Sequence, residues 1–221
     1  MSADEGSAPA GTVVGLYTAT AGSQSVDLDL VALNESLAIA LLMTIDESFS
    51  FVNTAGAELA AKLAVSAGIA TGGTIDVVVS AATLGIQVGA AVAAGLGHDR
   101  QVVLQKTRKI HLRDALSEPL SSITTGAAQS LLLDRRAVPA IGGKNVVFVD
   151  DVISSGGSCA AALRLIRAAG GNVVGVGAVL VEGAGWKTKL GRDAERVSFL
   201  GTIPLFRPTG LDGAWEPDWN C

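Results

Sequence analysis

The sequence predicts an α/β domain in which helices flank a parallel, twisted sheet. The runs at residues 75–79, in which Asp76 is the one polar residue, and 146–149 do not alternate regularly with polar residues, which is typical of strands buried on both faces. Segments with a helical spacing of apolar residues separate such runs. Because strand and helix alternate along the chain, we expect parallel strands joined by right-handed crossovers.

Each predicted element rests on one of these two patterns. Helical periodicity predicts helices over residues 55–67, 85–95 and 160–169. Apolar runs predict strands over residues 75–79, 101–104, 145–149, 173–181 and 197–202. A polar stretch from 106 to 129 interrupts the alternation, and loops of that length are usually lids or binding elements. Residues 131–133 are expected to be the return arm of a hairpin.

Composition narrows the class of protein. The 221 residues, 49% apolar and 17% charged, suffice for one sizeable core in one catalytic domain with small additions. A net charge of -5 argues against a nucleic-acid partner, whose phosphates this surface would repel. Cys159 and Cys221 provide neither a disulfide framework nor metal-ligand spacing. No apolar run is long enough for a membrane span, and residues 1–11, predicted to be disordered, lack the pattern of a signal peptide, so we expect a cytoplasmic protein without a membrane partner.

The segment from 146 to 158 carries the most chemical information, and it reads Val-Val-Phe-Val-Asp-Asp-Val-Ile-Ser-Ser-Gly-Gly-Ser. Asp150 and Asp151 fall at the carboxyl end of the predicted strand, where open α/β sheets bind their ligands. A loop of hydroxyl side chains and glycines then leads into a predicted helix. Such a loop presents backbone N–H groups and the positive end of a helix dipole, which together suit a phosphate group.

An acid pair beside a phosphate loop is the arrangement expected of a receptor for a phosphorylated sugar, in which the acids bind vicinal hydroxyls. A Walker loop is excluded because no lysine follows the glycines, and a dinucleotide fingerprint is excluded because the acids precede the loop. The alternative is purely structural. In that case an acidic strand end is followed by an ordinary helix, with Ser154 or Ser155 as its N-cap.

The motif resembles the signature of the type I phosphoribosyltransferases, which bind 5-phosphoribosyl 1-diphosphate (PRPP). The resemblance implies the type I phosphoribosyltransferase fold, with a flexible lid loop over residues 106–130 and a small hood, and it implies a homodimer. Asp150 and Asp151 are then expected to be catalytic residues that bind the ribose hydroxyls and Mg²⁺, the metal either directly or through water or those hydroxyls. The 5-phosphate is expected on Ser154, Ser155, Gly156, Gly157 and Ser158.

Residues 12–203 are expected to form the phosphoribosyltransferase domain, although the resemblance itself covers only about residues 75–200. Two segments flank that part. In this family such segments form a hood over the base, and residues 12–51 are expected to do so here. Residues 204–221 are expected to be a tail that contributes to the hood or to a subunit contact, for which Trp215 and Trp219 are suited.

Within the family, residues 77–97 and 106–109 are most similar to the purine branch, which includes adenine and xanthine phosphoribosyltransferases and the effector domain of a bacterial purine repressor. Adenine enzymes have an acidic residue and an arginine in the diphosphate loop, where this chain has Ala82 and Leu84. Backbone N–H groups and nearby cations are expected to replace them, unless the basic trio at 106–109 is only a solvated loop start. The diphosphate is therefore expected on Ala82, Thr83, Leu84, Gly85, Lys106, Arg108 and Lys109.

A second departure concerns proton transfer at the acceptor. Adenine enzymes use a glutamate of the lid, and the matching position here is Thr124. Glu118 is the nearest acid and is expected to take the catalytic role, with His111 and Asp114 as further candidates. These changes predict that adenine turnover is slow relative to at least one other acceptor.

The sequence is compatible with three functions. The first is transfer of the 5-phosphoribosyl group from PRPP to a purine-like base in salvage, with release of diphosphate. The second is the same transfer to a non-purine acceptor, a small aromatic compound, in a specialised pathway. The third is a non-catalytic regulator that senses PRPP; a repressor of that type needs a DNA-binding element, and no helix-turn-helix precedes residue 12.

Overall fold

The computed structural model of the chain describes residues 9–112, 114–120, 129–210 and 213–219. In these ranges the chain forms two five-stranded sheets, a two-stranded hairpin and five α-helices. The strands are β1 Val13–Ala21, β2 Gln24–Asn34, β3 Leu37–Leu41, β4 Val77–Ala81, β5 Val102–Leu104, β6 Leu116–Pro119, β7 Ser130–Leu133, β8 Asn145–Ile153, β9 Asn172–Glu182, β10 Val197–Ile203, β11 Leu205–Pro208 and β12 Trp215–Asp218. The helices are α1 Phe49–Ser66, α2 Gly85–Gly95, α3 Val138–Ile141, α4 Gly157–Ala168 and α5 Gly185–Leu190.

The central sheet has the strand order β10-β9-β8-β4-β5, and every neighbouring pair in it is parallel. The predicted parallel sheet is therefore confirmed. From β4 the chain continues through α2 to β5 on one side, and from β8 it continues through α4 to β9 on the other. The order thus reverses between β4 and β8, and the carboxyl ends of these two strands flank the point where open α/β sheets bind ligands.

Hydrophobic clusters cover both faces of the central sheet. On one face α1 and α2 pack over residues such as Val147, Val149 and Val179. On the other face α4 packs over Val146 and Phe148. Burial on both faces explains why β8 reads as a continuous apolar run instead of an alternating one.

A second, antiparallel sheet has the strand order β1-β2-β3-β11-β12. It joins the two segments that flank the part of the chain on which the resemblance rests, since β1 to β3 precede the parallel sheet and β11 and β12 follow it. In β2 the buried residues Val26, Leu28 and Leu30 alternate with exposed ones, as expected for a sheet with one solvated face. Its buried side chains join the cluster formed by α1 and α2, and Trp215 packs at the edge of that cluster, whereas Trp219 is 55% exposed.

Several predicted boundaries are wrong. Helix α1 begins at Phe49 and not at residue 55, because the Ser48 side chain caps it by accepting a hydrogen bond from the Phe51 N–H at 3.1 Å. Strand β8 continues to residue 153 instead of ending at 149, since its last residues still pair with β9. Helix α4 begins at Gly157 and not at residue 160.

The polar stretch that interrupts the alternation contains the outgoing arm of a hairpin. Strand β6 pairs antiparallel with β7, which confirms residues 131–133 as the return arm. Residues 121–128 of the predicted lid and residues 1–8 of the predicted disordered segment lie outside the described residues. At residue 11 the Gly11 N–H donates to the Ala32 carbonyl at 2.7 Å, so the chain is already paired with β2 there. Over the described ranges, the helices fall short of the length and apolar character that crossing a membrane requires.

Candidate active site

Two adjacent carboxyl groups lie in the last part of β8, the middle strand of the parallel sheet. Asp150 is 7% exposed, and its Oδ1 accepts a hydrogen bond from the Asp151 N–H at 3.2 Å. Burial, followed by the charge of Asp151, raises the pKa of Asp150 well above its usual range. Burial also raises the pKa of Asp151, and hydrogen bonds to the carboxylate partly offset this rise. The pair therefore favours a bound cation or hydrogen-bond donors from a ligand.

Lys106 is the one member of the predicted basic trio that bears on this acid pair. Its positive charge lowers the pKa of both carboxyl groups against the effect of burial. The Arg108 guanidinium instead donates to the Leu112 carbonyl at 3.3 Å, and Lys109 is exposed. The charge of Lys106 thus favours ionisation of the acid pair, whereas Arg108 is directed at least partly to the following turn.

The predicted diphosphate loop, residues 82–85, follows β4 and touches the acid pair. A Cβ on Gly85 would lie 2.4 Å from the Asp150 Oδ1, so only glycine allows this close approach. The loop backbone is held by two hydrogen bonds, from the Ala82 N–H to the Leu104 carbonyl at 2.8 Å and from the Thr44 hydroxyl to the Leu84 carbonyl at 2.6 Å. Thr44 is fully buried and follows β3, so it links the antiparallel sheet to the diphosphate loop.

The predicted phosphate loop, residues 154–158, lies between β8 and α4. Gly156 is the N-cap of α4 with a φ of 76°, and the Ser155 hydroxyl accepts a weak hydrogen bond from the Gly157 N–H at 3.4 Å. A cavity of about 120 Å³, the volume of about four water molecules in the liquid, is lined by residue 150 and residues 152–159. The N-cap is Gly156 and not Ser154 or Ser155, so this detail of the structural alternative is wrong. The loop therefore presents the positive end of a 12-residue helix to a small cavity beside the acid pair.

The phosphate loop is supported from behind by β9 and α5. The Ser154 hydroxyl donates to Oε2 of Glu182 at 2.5 Å, and Glu182, at the end of β9, is 4% exposed. Burial raises the pKa of Glu182 to about 7, against the opposing effect of the Ser154 hydrogen bond. A Cβ on Gly156 would lie 3.2 Å from the Cα of Trp186, so α5 packs directly against the loop. Burial also raises the pKa of the Cys159 thiol, which leaves it neutral.

The predicted proton-transfer residues are not gathered at the acid pair. Oε2 of Glu118 accepts from Nε of Arg164 at 2.7 Å, and Arg164 lies seven residues into α4, about 10 Å along its axis from the first residue. Asp114 forms an ion pair with Arg135, whose Nε lies 3.3 Å from its Oδ2. Thr124 and the side chain of His111 lie outside the described part of the structure. Glu118 thus ties the base of the lid hairpin to α4.

Two residues near the loops were missed at the level of sequence. Glu182 is the acid that ends a long apolar strand, and this abrupt change of polarity is a signal that marks it. Thr44 has no comparable signal, because its partner at Leu84 lies 40 residues away in the chain.

The fold and the site define a class of protein. A parallel sheet whose switch point carries an acid pair and a loop at a helix N-terminus is the arrangement of an α/β domain that binds a nucleotide or a phosphorylated sugar. The chain belongs to the phosphoribosyl transferase domain family, whose sequence profile matches residues 52–198. The resemblance seen in the sequence is thereby confirmed.

The chain is similar to two relatives of known name over parts of its length. It is 31% identical to the purine biosynthesis transcriptional repressor PurR of Bacillus subtilis over 131 residues. This match covers 59% of this chain and 45% of that protein. It is 55% identical to an adenine phosphoribosyltransferase of Mycolicibacterium smegmatis over 40 residues. This match covers 18% of this chain and 22% of that enzyme. The matches thus span less than half the length of either relative.

Solved structures confirm the fold. An adenine phosphoribosyltransferase of Saccharomyces cerevisiae superposes with a TM-score of 0.57 at 19% identity, over 84% of this chain and 93% of that one. An adenine phosphoribosyltransferase of Rhodothermus marinus superposes with a TM-score of 0.54 at 19% identity, over 85% of this chain and 94% of that one. The chain therefore has the type I phosphoribosyltransferase fold, as predicted.

Proposed function

We propose that the protein transfers the 5-phosphoribosyl group from PRPP to a purine-like base and releases diphosphate. One observation carries this proposal: the acid pair, the diphosphate loop and the phosphate loop meet at the switch point between β4 and β8. The Gly85 contact with Asp150 joins the first two, and the cavity lined by Asp150 and the phosphate loop joins the last two. The family of the chain supports the same activity, as do two relatives whose names are adenine phosphoribosyltransferase.

Each part of PRPP has a partner of matching chemistry in this arrangement. The 5-phosphate binds the N–H groups and hydroxyls of residues 154–158 at the start of α4. The ribose hydroxyls donate to the carboxylates of Asp150 and Asp151. The diphosphate binds the backbone N–H groups of residues 83–85 and the ammonium group of Lys106, since the Ala82 N–H already donates to the Leu104 carbonyl. A cation and backbone amides thus take the place of the arginine that adenine enzymes have where this chain has Leu84.

The residues present fit a magnesium ion. The buried Asp150 and the half-buried Asp151, both with raised pKa values, lie side by side, and Mg²⁺ is typically held by one or two carboxylates together with water and substrate phosphates. Among the described residues no cluster of three potential ligand side chains occurs, which agrees with a metal that depends on substrate oxygens. When bound, Mg²⁺ supplies neutralisation of the charge on the departing diphosphate.

Positioning is the main contribution of the chain to the reaction. The carbon–oxygen bond to diphosphate breaks through an oxocarbenium-like state. Holding the base in line with that carbon can lower the activation barrier by about 7 to 11 kcal/mol, because the two reactants no longer have to meet in solution. Closure of the predicted lid over residues 106–130 excludes water, which would otherwise hydrolyse the sugar. Proton transfer by Glu118 requires that its ion pair with Arg164 opens, and a half-exposed pair of this kind costs only about 1 kcal/mol or less to break.

A panel of acceptors tests this function directly. The protein is incubated with Mg²⁺ and PRPP, and diphosphate release is measured with adenine, hypoxanthine, guanine, xanthine, orotate and simple aromatic acids. Release with a purine supports the proposal, and the substituted loop predicts that adenine is slower than at least one other acceptor. Release with only a non-purine acceptor supports the second function, whereas PRPP binding without release supports the sensor.

We also propose a cytoplasmic homodimer that binds neither nucleic acid nor membrane. The family resemblance and the net charge of -5 support this. Light scattering at micromolar concentration tests the dimer, and cell fractionation tests the location.

A further inference from the structure

Glu182 is a buried carboxyl group behind the phosphate loop that the proposed reaction does not use. It lies at the last position of β9, where Ile203 of β10 is its partner in register. Its Oε2 is 2.5 Å from the Ser154 hydroxyl oxygen, and Ser154 is the first residue of the loop. The carboxyl group and the predicted phosphate site are thus separated by a single hydroxyl group.

That hydroxyl group has only one hydrogen to donate. While Glu182 is ionised, the hydrogen of Ser154 is directed to the carboxylate and is not available to a phosphate. A protonated Glu182 can instead donate to the Ser154 oxygen, and the Ser154 hydrogen can then turn to a phosphate oxygen. Ser154 can donate to a phosphate in the loop and still keep its hydrogen bond to Glu182 only when the carboxyl group carries a proton.

We propose that Glu182 is a positioning residue that takes up a proton when a phosphate dianion binds in the loop, so that Ser154 donates its hydrogen to the phosphate. The inference rests on the phosphate site of the proposed function. No covalent bond is made or broken: one proton passes from solvent to the carboxyl group on binding and returns on release. A phosphate on one side of the Ser154 hydroxyl and an ionised Glu182 on the other repel each other, which favours the uptake in the same direction.

The charged groups on the elements around Glu182 do not take over its role as the proton acceptor beside Ser154. Strand β8 carries Asp150 and Asp151 at its carboxyl end, and α5 carries Lys187 and Lys189. Lys187 lies with its Nζ 5.6 Å from the centre of the Trp186 ring, and the Cβ of Lys189 packs near Gly156. Strand β10 presents the apolar Ile203. Burial and the Ser154 hydrogen bond set the pKa of Glu182 at about 7, so both protonation states are accessible near neutral pH.

Calorimetry of ribose 5-phosphate binding at pH 8 tests the proposal without requiring turnover. The phosphate of the ligand, with a second pKa of about 6, is already a dianion there. Titrations in two buffers of different ionisation enthalpy give the number of protons taken up. We expect the wild type to take up about half a proton or more per site and to lose affinity as pH rises, by at most about tenfold per pH unit.

The variant Glu182→Gln separates positioning from fold, because its amide is a permanent donor to the Ser154 oxygen. Its affinity for ribose 5-phosphate is expected not to fall between pH 7.5 and 8.5. Its proton uptake on binding is expected to be lower than that of the wild type by the number of protons that Glu182 takes up. Ser154→Ala is expected to lose the same part of the proton uptake, while the backbone N–H groups still bind the phosphate. Ser158→Ala removes another hydroxyl of the loop and is expected to keep the uptake.

The outcomes are distinct. Equal proton uptake and equal pH dependence in the wild type and Glu182→Gln overturn the role of Glu182 and leave the proposed function intact. A wild type that does not bind ribose 5-phosphate at all overturns both the phosphate site and the role of Glu182. Circular dichroism of each variant shows that the comparison is made between folded proteins.

Discussion

Replacement of Glu182 by glutamine is expected to change how the stability of the unliganded protein depends on pH. Burial raises the pKa of this carboxyl group from 4.5 to about 7 in the folded chain. At 1.36 kcal/mol per pKa unit, the rise corresponds to about 3 kcal/mol. Since the folded state binds the proton more tightly than the unfolded state, this stabilisation is complete below pH 4.5 and is lost as pH rises through 7.

The wild type therefore loses about 3 kcal/mol, relative to Glu182→Gln, between mildly acidic and mildly alkaline pH. Urea denaturation of both proteins at pH 5 and pH 8.5 measures this difference in the free energy of unfolding. Glu182→Gln is expected to gain on the wild type as pH rises. The matched control is Glu216→Gln, which removes an exposed carboxylate on β12 and is expected to stay within about 0.5 kcal/mol of the wild type at both pH values.

A raised pKa of Glu182 in the folded protein is refuted if Glu182→Gln differs from the wild type by the same free energy of unfolding at pH 5 and at pH 8.5. Such a result means that the carboxyl group is hydrated in solution, or that it keeps a proton at both pH values. In either case the protonation state of Glu182 does not change near neutral pH in the way that proton uptake on phosphate binding requires.

The other predictions concern the two loops and the acid pair. Asp150→Asn and Asp151→Asn are each expected to lose most PRPP affinity in calorimetry while circular dichroism stays unchanged; undiminished binding by both variants removes the proposed sugar site. Gly157→Val is expected to keep its circular dichroism and to bind ribose 5-phosphate at least tenfold more weakly, on the order of 1.4 kcal/mol, because its side chain obstructs the N–H groups at the start of α4; normal binding contradicts the loop assignment. Lys106→Ala is expected to weaken diphosphate binding more than Lys109→Ala, since only Lys106 acts on the acid pair; equal effects on the measured affinities argue that the basic trio is merely solvated.

The parts of the fold that could be predicted are those with a local cause. Strand β8 and its neighbours are buried on both faces, so each appears as a short apolar run in the sequence. The start of α1 was missed because a single side chain, Ser48, decides it. The antiparallel sheet was missed for a different reason: the alternation in β2 is visible, but its closure depends on Phe206 pairing with Ala38, 168 residues earlier in the chain.

The candidate site divides in the same way. Asp150, Asp151 and the loop that follows them are contiguous, so one segment of sequence was enough to predict the acid pair and the phosphate loop together. Glu118 was expected to serve proton transfer from its position in the lid alone, and only the three-dimensional structure shows its ion pair with Arg164. Contacts between distant elements, such as that of Thr44 with Leu84, leave no local pattern.

Because the antiparallel sheet combines early and late strands of the chain, the order in which the strands are translated affects when the site is completed. Thr44 clamps the diphosphate loop from the end of β3, and β3 is bordered by β11, which the ribosome makes after the whole parallel sheet. The edge-to-face contact of Tyr17 with Phe206, with ring centres 5.2 Å apart, likewise waits for that late segment. A nascent chain can thus complete the sheet that bears Asp150 and Asp151 while the clamp still lacks its neighbouring strand. The clamp on the proposed diphosphate loop is therefore complete only after β11 and β12 have been made and have docked beside β3.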